Sequence, residues 1–355
     1  MDAVLLRADD LSDADRAAWR AARAGDRALC SPYLALSFLD AVAAVRRDTC
    51  VLRVETASGL RFLPMQVGPA GYARALAGPL GDHHGLIGAP LQRPALSTAL
   101  RRAGVAVFDH HGALAGQGAF EGEPDGSWVC DLSKGYESFV RERKKLGGNT
   151  ARNIFASTRK LSEQGALTFR FEDDRPQTLE QLFQWKSAQY AASEFFDVFS
   201  VGWTRNLLRR LQRAGAGVDA RGVLSSLELD GRLVAVHFGL LGDHAMHYWF
   251  PAYDAEMAKL GPGNALLTHV LEELVDRGVS ELHMGPGDYR TKAALGSWQF
   301  PLVRGCVTGG GLVAALRTGA EALERGAERL PLGRASHWPG KAFRRIDTLA
   351  GFRSA

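Results

Sequence analysis

The stretch that decides the fold runs from residue 223 to residue 284: VLSSLELDGRLVAVHFGLLGDHAMHYWFPAYDAEMAKLGPGNALLTHVLEELVDRGVSELHM. Three strand-like runs, residues 223–229, 232–241 and 244–250, stand at its head. Asp230–Gly231 and Gly242–Asp243 separate them, and an Asp-Gly pair tolerates the positive φ that a tight hairpin turn needs. A loop over 251–263 leads to an expected helix over 264–277. There Leu266/Leu267, Val270/Leu271 and Leu274/Val275 recur at helical spacing. Gly278 stands where a left-handed residue ends such a helix, and residues 279–284 form a last strand. The order is an antiparallel meander, a helix and one more strand.

Upstream, helical and strand patterns alternate. Residues 13–24 read as a helix, and Ser31 with Pro32 opens a second. Residues 50–56 and 61–67 read as strands joined at Ser58–Gly59. Residues 78–88 (GPLGDHHGLIG) are too glycine-rich for regular structure and read as a loop. A helix over 94–103 and strands over 105–108 and 127–132 follow. A basic helical stretch begins near Tyr136. Gly147–Gly148 would cost about 2 kcal/mol in mid-helix, so a break falls there. Asn149 is expected to cap a second helix to about Gln164, with Ile154, Phe155, Thr158 and Leu161 on one face and Arg152 and Arg159 on another. The domain boundary is placed near Gly165, giving domains over 1–165 and 166–310. Downstream, Leu312, Leu316, Leu323, Ala327 and Leu330 recur until Pro331, so the tail over 311–355 reads as an amphipathic helix with an Arg-rich end.

A chain of 355 residues with 46% hydrophobic and 23% charged residues can pack two cores. The net charge of +4 is small but uneven: residues 141–160 hold seven bases against Glu142, and residues 312–355 hold eight bases against four acids. Each patch is either a solvated helix face or a site for an acidic partner, such as a phosphate-bearing ligand or an anionic membrane surface. Cys30, Cys50, Cys130 and Cys306 lie far apart, which fits reduced thiols and gives no structural zinc site. Asp2, Asp9 and Asp10 stand where a signal peptide would be basic and then apolar, and no apolar run reaches the ~20 residues that span a bilayer. The expectation is a cytoplasmic protein, with its basic tail at the inner membrane as one option.

Two clusters carry chemistry. Glycines at Gly261 and Gly263, before Asn264, form either a simple turn or an anion cradle at a helix start. After the last strand, Asp288, Tyr289 and Lys292 emerge together, as reactive groups or as a loop closed by an Asp–Lys pair. His237, mid-strand among apolar neighbours, is either a core residue or a general base. Trp249 is either core or a platform for a sugar ring. In the first half, Asp82, His83 and His84 in their glycine loop are the cluster that invites a ligand. No third histidine stands at metal-ligand spacing beside them, so no metal is expected.

Residues 228–292 resemble the CelD/BcsL-like acyltransferases of bacterial exopolysaccharide biosynthesis, a GNAT branch with two tandem GNAT-like domains related to the Fem aminoacyltransferases. The matching marks are Leu227-x-Leu-Asp-Gly231 with Val234–Ala235, then Tyr253–Asp254, Pro262–Gly263, and Gly287–Asp288 followed by Lys292. The stretch NTARNIFASTRKL at 149–161 looks like that family's basic helix between domains, and Asp82 matches an aspartate of its first domain. The resemblance implies an α/β (α+β) fold of two tandem GNAT-like domains. Mixed central sheets would be flanked by helices, with a helical basic tail behind them. It also implies a slot between two neighbouring strands for the pantetheine arm of acetyl-CoA or another acyl-CoA. Gly261, Gly263 and Asn264 would hold the pyrophosphate. Asp288 would serve as base or position the acceptor amine, Tyr289 would protonate the thiolate, and Lys292 would neutralise an anion. Asp82, His83, Arg152 and Trp249 are its substrate-contact candidates. Ala258 stands where the usual pattern has a basic residue, and Pro262 offers no amide. Acyl-carrier protein and aminoacyl-tRNA therefore stand beside acyl-CoA as donors.

The expected activity is N-acylation of an amino sugar of an exopolysaccharide or its precursor, of cellulose, capsule or holdfast type. Two other readings compete. One is an inactive GNAT-fold regulatory module that binds a nucleotide or anionic lipid through its basic helix and tail. The other is a Fem-like aminoacyltransferase whose 141–160 patch meets tRNA phosphates. No DNA partner is expected.

Overall fold

A computed structural model describes residues 1–287, 289–328 and 351–352. In chain order its elements begin β1 (Asp2–Arg7), α1 (Asp13–Ala24), α2 (Leu36–Ala43), β2 (Thr49–Thr56), β3 (Gly59–Val67), β4 (Tyr72–Ala75), α3 (Arg93–Arg102), β5 (Val107–Leu114) and β6 (Glu123–Asp131). They continue α4 (Tyr136–Leu146), α5 (Gly148–Ser162), β7 (Leu167–Arg170), α6 (Pro176–Ala192), α7 (Gly202–Arg213), β8 (Ala220–Leu229), β9 (Arg232–Gly242) and β10 (Ala245–Tyr253). Last come α8 (Pro262–Asp276), β11 (Glu281–Pro286), α9 (Arg290–Leu295), β12 (Trp298–Thr308) and α10 (Leu312–Glu328).

The chain divides into two compact units. The first holds Met1–Leu29, Val42–Asp125 and the residues from Leu302 onward; the second holds Cys30–Ala41 and Gly126–Pro301. In the first unit the strand order is β1-β2-β3-β4-β5-β12, antiparallel throughout except where β4 runs parallel to β5. In the second it is β6-β11-β10-β9-β8-β7, antiparallel except where β10 runs parallel to β11. Each unit therefore repeats one scheme: an antiparallel meander, a helix (α3 or α8), and a strand returning parallel to the last strand of the meander. A parallel return requires such a crossover, and the helix fills it with its apolar face. In the first unit Leu96 and Leu100 of α3 pack on Leu52, Leu63, Met65 and Phe108. In the second, Leu266, Leu267, Val270 and Leu274 of α8 pack with Val223, Leu227 and Leu282.

The basic helices α4 and α5 belong to the second unit because Phe139, Ala151, Ile154 and Leu161 sit in its core. Their break falls at Gly147–Gly148 as the glycine pair requires, with Gly147 ending one helix and preceding the next. Asn149 does not cap α5: it lies inside the helix, and its side chain accepts a hydrogen bond from Arg152 at 3.1 Å. Nor does Ser31 cap a helix. Its neighbours form a short 3-10 turn, Pro32–Leu34, and its side chain makes no capping bond. The tail forms a helix as expected, but its Leu312/Leu316 edge is 76% and 66% exposed. Ala314 takes the inward side with Val107 and Cys306, and Arg317 pairs with Asp109 at 3.1 Å, which turns the leucines out. The Arg-rich end after Glu328 lies outside the described residues, apart from Gly351 and Phe352.

The Gly78–Gly88 loop is buried rather than open. His84 N–H donates to Gly112 O and Leu114 N–H to His84 O, which ties the loop to β5. His83 and His84 are both buried, and burial pushes the His84 imidazole well below its ordinary range, helped by the neighbouring His111. Asp82 is half-buried beside them. A Cβ at Gly112 would strike the Asp82 carbonyl, so the loop needs glycine opposite it.

In the second unit, a buried carboxylate ties an edge strand to a helix start. Asp173 accepts from Arg175 Nε at 2.8 Å, Thr178 Oγ1 at 3.1 Å and Ser226 Oγ at 2.6 Å. Arg175 and Arg170 also pair with Glu228 at 2.6 and 2.8 Å. Burial alone would raise the Asp173 carboxyl, but the bonds from Arg175 and Ser226 hold it at about 2. A folded-state value depressed from 3.8 contributes stability that is present above about pH 4 and fades as pH falls toward 2, on the order of 2 kcal/mol. Asp173→Asn removes one of the two carboxylates that pair with Arg175, the more deeply buried one, and should lose about 3 kcal/mol in urea unfolding at pH 7. It should also flatten the acid side of the stability curve; an unchanged acid side would show that another carboxylate governs it.

Candidate functional site

The meander of the second unit turns tightly at Asp230 and Gly231, with φ of 50° and 80°. The Asp230 carboxylate also accepts from Ala166 N–H at 2.9 Å, which fixes the turn against the start of β7. One register slip lies directly beside this turn, between Leu227 and Glu228 of β8, and two more fall at matching places further on. β10 slips register against β9 between His247 and Phe250, and β11 slips against β6 between His283 and Gly285. Gly285 carries the positive φ, 75°, that such a bulge uses. His247 and His283 are the last register pair of β10 and β11, which match at only three positions, 245–247 with 281–283. Past that pair β10 runs on to Tyr253 and β11 to Pro286 without pairing to each other. Bulges bend a strand and increase its twist, so two of them one step beyond the same pair open a wedge. The wedge is lined on the β10 side by main chain that has no partner on β11.

Helix α8 starts beside the end of β10. Gly261 precedes it in the left-handed region at φ 70°, and Pro262 fills the first helical position, where its missing N–H costs nothing. Asn264 and Ala265 already donate to Gly261 O, each at 3.0 Å. The Gly263 amide has no partner among the described residues, so it is the donor that this helix start can offer an anion. A Cβ at Gly263 would stand 3.1 Å from the Tyr253 ring, so the tip is narrow. Helix α5 flanks it, with Ser157 Cβ 3.4 Å from the Cβ position of Gly261 and Thr158 bonded to Thr268 at 2.8 Å.

At the apex of the wedge four polar side chains meet out of solvent. Ser31, His247, Glu281 and His283 are 2%, 1%, 5% and 1% exposed. Ser31 Oγ lies 3.2 Å from His247 Nε2, and His283 Nε2 lies 3.0 Å from Glu281 Oε2. The two imidazoles stack at 4.7 Å with planes 25° apart, and Tyr33 meets His247 edge-on at 4.5 Å. None of the four appears among the candidates drawn from the sequence. The signal was present: Glu281 and His283 alternate with core-facing Leu282, and His247 follows core-facing Met246, so charged or polar residues interrupt strands that are otherwise apolar. Ser31 offered a competing reading as a helix cap, which hid it.

The sequence candidates fall differently. His237 is 0% exposed and stacks on Tyr248 at 3.9 Å and 14°. Burial pulls its imidazole down to about 3, and neither ring nitrogen has a hydrogen-bond partner among the described residues. These are the surroundings of a core histidine, the first of the two alternatives. Trp249 is half-buried in an aromatic cluster, 4.9 Å from Phe250 and 5.6 Å from Tyr33, rather than an open platform. Lys292 donates to Pro286 O at 2.6 Å and lies 5.3 Å above the Tyr289 ring, which closes the end of β11; Tyr289 itself is 62% exposed. Asp288 lies outside the described residues. Arg152 is exposed on α5, while Asp82 and His83 belong to the first unit. If His237 is core, His237→Phe removes two unsatisfied buried nitrogens and should raise stability by about 1 kcal/mol in thermal melts. The same variant should keep its turnover; a hundredfold loss in the folded protein would restore His237 to the reaction.

Comparison with known proteins places this geometry. Residues 148–293, from α5 into α9, match the family model described as acetyltransferase (GNAT) domain. No curated protein matches the chain. Among solved structures, FemX is similar with a TM-score of 0.55 at 10% identity, over 86% of this chain and 96% of FemX. A tandem GNAT protein from the clavulanic acid biosynthesis pathway is similar with a TM-score of 0.50 at 14% identity, over 88% of this chain and 99% of that one. At those identities the likeness is one of fold. The chain therefore has a tandem GNAT-type fold, and residues 148–293 of its second unit match the GNAT acetyltransferase domain model.

Proposed function

We propose that this protein is an N-acyltransferase that takes an acyl thioester, acetyl-CoA or another acyl-CoA, in the wedge between β10 and β11. The acyl group passes to the amine of an amino sugar in an exopolysaccharide or its precursor. The observation that carries the reading is the parting of the two strands directly beyond His247 and His283, beside a glycine-lined helix start. A pantetheine arm laid along β10 meets main chain that β11 does not pair with, while the pyrophosphate reaches the Gly263 amide at the positive end of α8. Gly261 and Asn264 shape that tip. The sugar part rests on the sequence resemblance, and exposed Tyr289 at the end of β11 supplies an aromatic face of the kind sugar rings stack on. In this reading Tyr289 and Lys292 lend a hydrogen bond and a positive charge to the departing thiolate. Among the described residues no helix is long and apolar enough to cross a membrane.

Calorimetric titration of acetyl-CoA into wild type and Gly263→Asp tests the donor site. An aspartate in the first turn favours the helix by about 0.3–1 kcal/mol, so the variant should fold. Its charge stands where phosphate would bind, and affinity should fall at least tenfold. Undiminished binding would move the donor site away from α8.

A further inference from the structure

Amide formation from a thioester releases a proton from the attacking amine, and some group must accept it. His237 is sealed beneath Tyr248, and Lys292, an ammonium bonded to a carbonyl, is a donor. The four polar groups at the wedge apex have a different character. Burying His247, Glu281 and His283 in largely apolar strands, with Ser31 beside them, costs stability, and the Ser31 side chain makes no capping bond. A hydroxyl 3.2 Å from an imidazole nitrogen is within reach of proton transfer. Its position at the last paired residues of β10 and β11 is where a thioester carbonyl seated in the wedge would meet an incoming amine.

We propose that Ser31 and His247 form the proton-accepting dyad of the reaction, with Glu281 and His283 as positioning residues that hold the His247 ring by stacking. The assignment rests on the acyl-transfer reading of the wedge. The amine nitrogen attacks the thioester carbonyl carbon and a C–N bond forms. Its proton passes to Ser31 Oγ as the hydroxyl proton passes to His247 Nε2. The C–S bond then breaks, and the departing thiolate takes the proton from His247 and leaves as a thiol. Amide and thiol are the products, and dyad and protein return unchanged. The step requires His247 with its proton on Nδ1 and Ser31 as donor to Nε2.

The test uses the full chain, acetyl-CoA as donor, and glucosamine or hydroxylamine as amine, with thiol release followed by a disulfide reporter. Ser31→Ala and His247→Gln should each lower kcat about 100-fold while the KM for acetyl-CoA stays within threefold. Ser31→Thr, which restores a hydroxyl, should recover part of the loss. Glu281→Gln should lower kcat about fivefold with the same KM. If His247→Gln does not fold, Ser31→Ala carries the criterion alone. Retention of more than a third of wild-type kcat in the folded variants overturns the dyad, as does wild type that binds acetyl-CoA yet acylates neither amine. Wild type that fails to bind acetyl-CoA in calorimetry overturns the wedge reading itself, and the dyad with it.

Discussion

Everything proposed for the second unit depends on a backbone constraint: two strands that start as a parallel pair cannot stay one. β10 is held by β9 on one side and β11 by β6 on the other, and each ladder slips by a residue one step after His247 and His283. Neither slip alone would separate the strands, because a single bulge bends the whole ribbon. Two of them, on opposite flanks, pull the pair apart. Helix α8 then holds the gap open by packing Leu266, Val270 and Leu274 into the core behind it.

Polar chemistry is concentrated at that junction. In a sheet whose interior is aliphatic, Glu281, His283, His247 and Ser31 form a chain of contacts that spans from one strand to the segment before α2. Water has no access to them, so each contact is stronger than it would be at the surface, and each would be costly to leave half made. The neighbouring His237 lacks such partners among the described residues and is held neutral by its surroundings. Two histidines on adjacent strands of one sheet thus have different surroundings, a hydroxyl beside His247 and an aromatic ring over His237.

Most of the fold was legible because it rests on local signals. The Asp230–Gly231 turn, the repeating leucine pairs of α8 and the glycine break between α4 and α5 all stand where the sequence places them. The parallel return of β11 follows from the meander-helix-strand order. The site was less legible because it depends on contacts between residues far apart in the chain. Ser31 meets His247 across 216 positions, and no local pattern marks that meeting. The wedge itself arises from register slips, and a bulge leaves only a glycine, Gly285, as its trace. Leu312 and Leu316 misled for a related reason: periodicity finds an apolar stripe, but the pairing of Arg317 with Asp109 decides which face turns inward.

The open flank of β10 over residues 248–253 has one more implication. An extended molecule lying there would be held as a surrogate strand, through amide and carbonyl groups that every amino acid possesses. Recognition of that kind is indifferent to side-chain identity. Substitutions along β10 can accumulate without disturbing it as long as the bend survives. FemX and the clavulanic acid pathway protein, at 10% and 14% identity, share the backbone plan of this chain with few of its side chains. The side chains around the rim can then vary while the backbone flank beneath them keeps its shape.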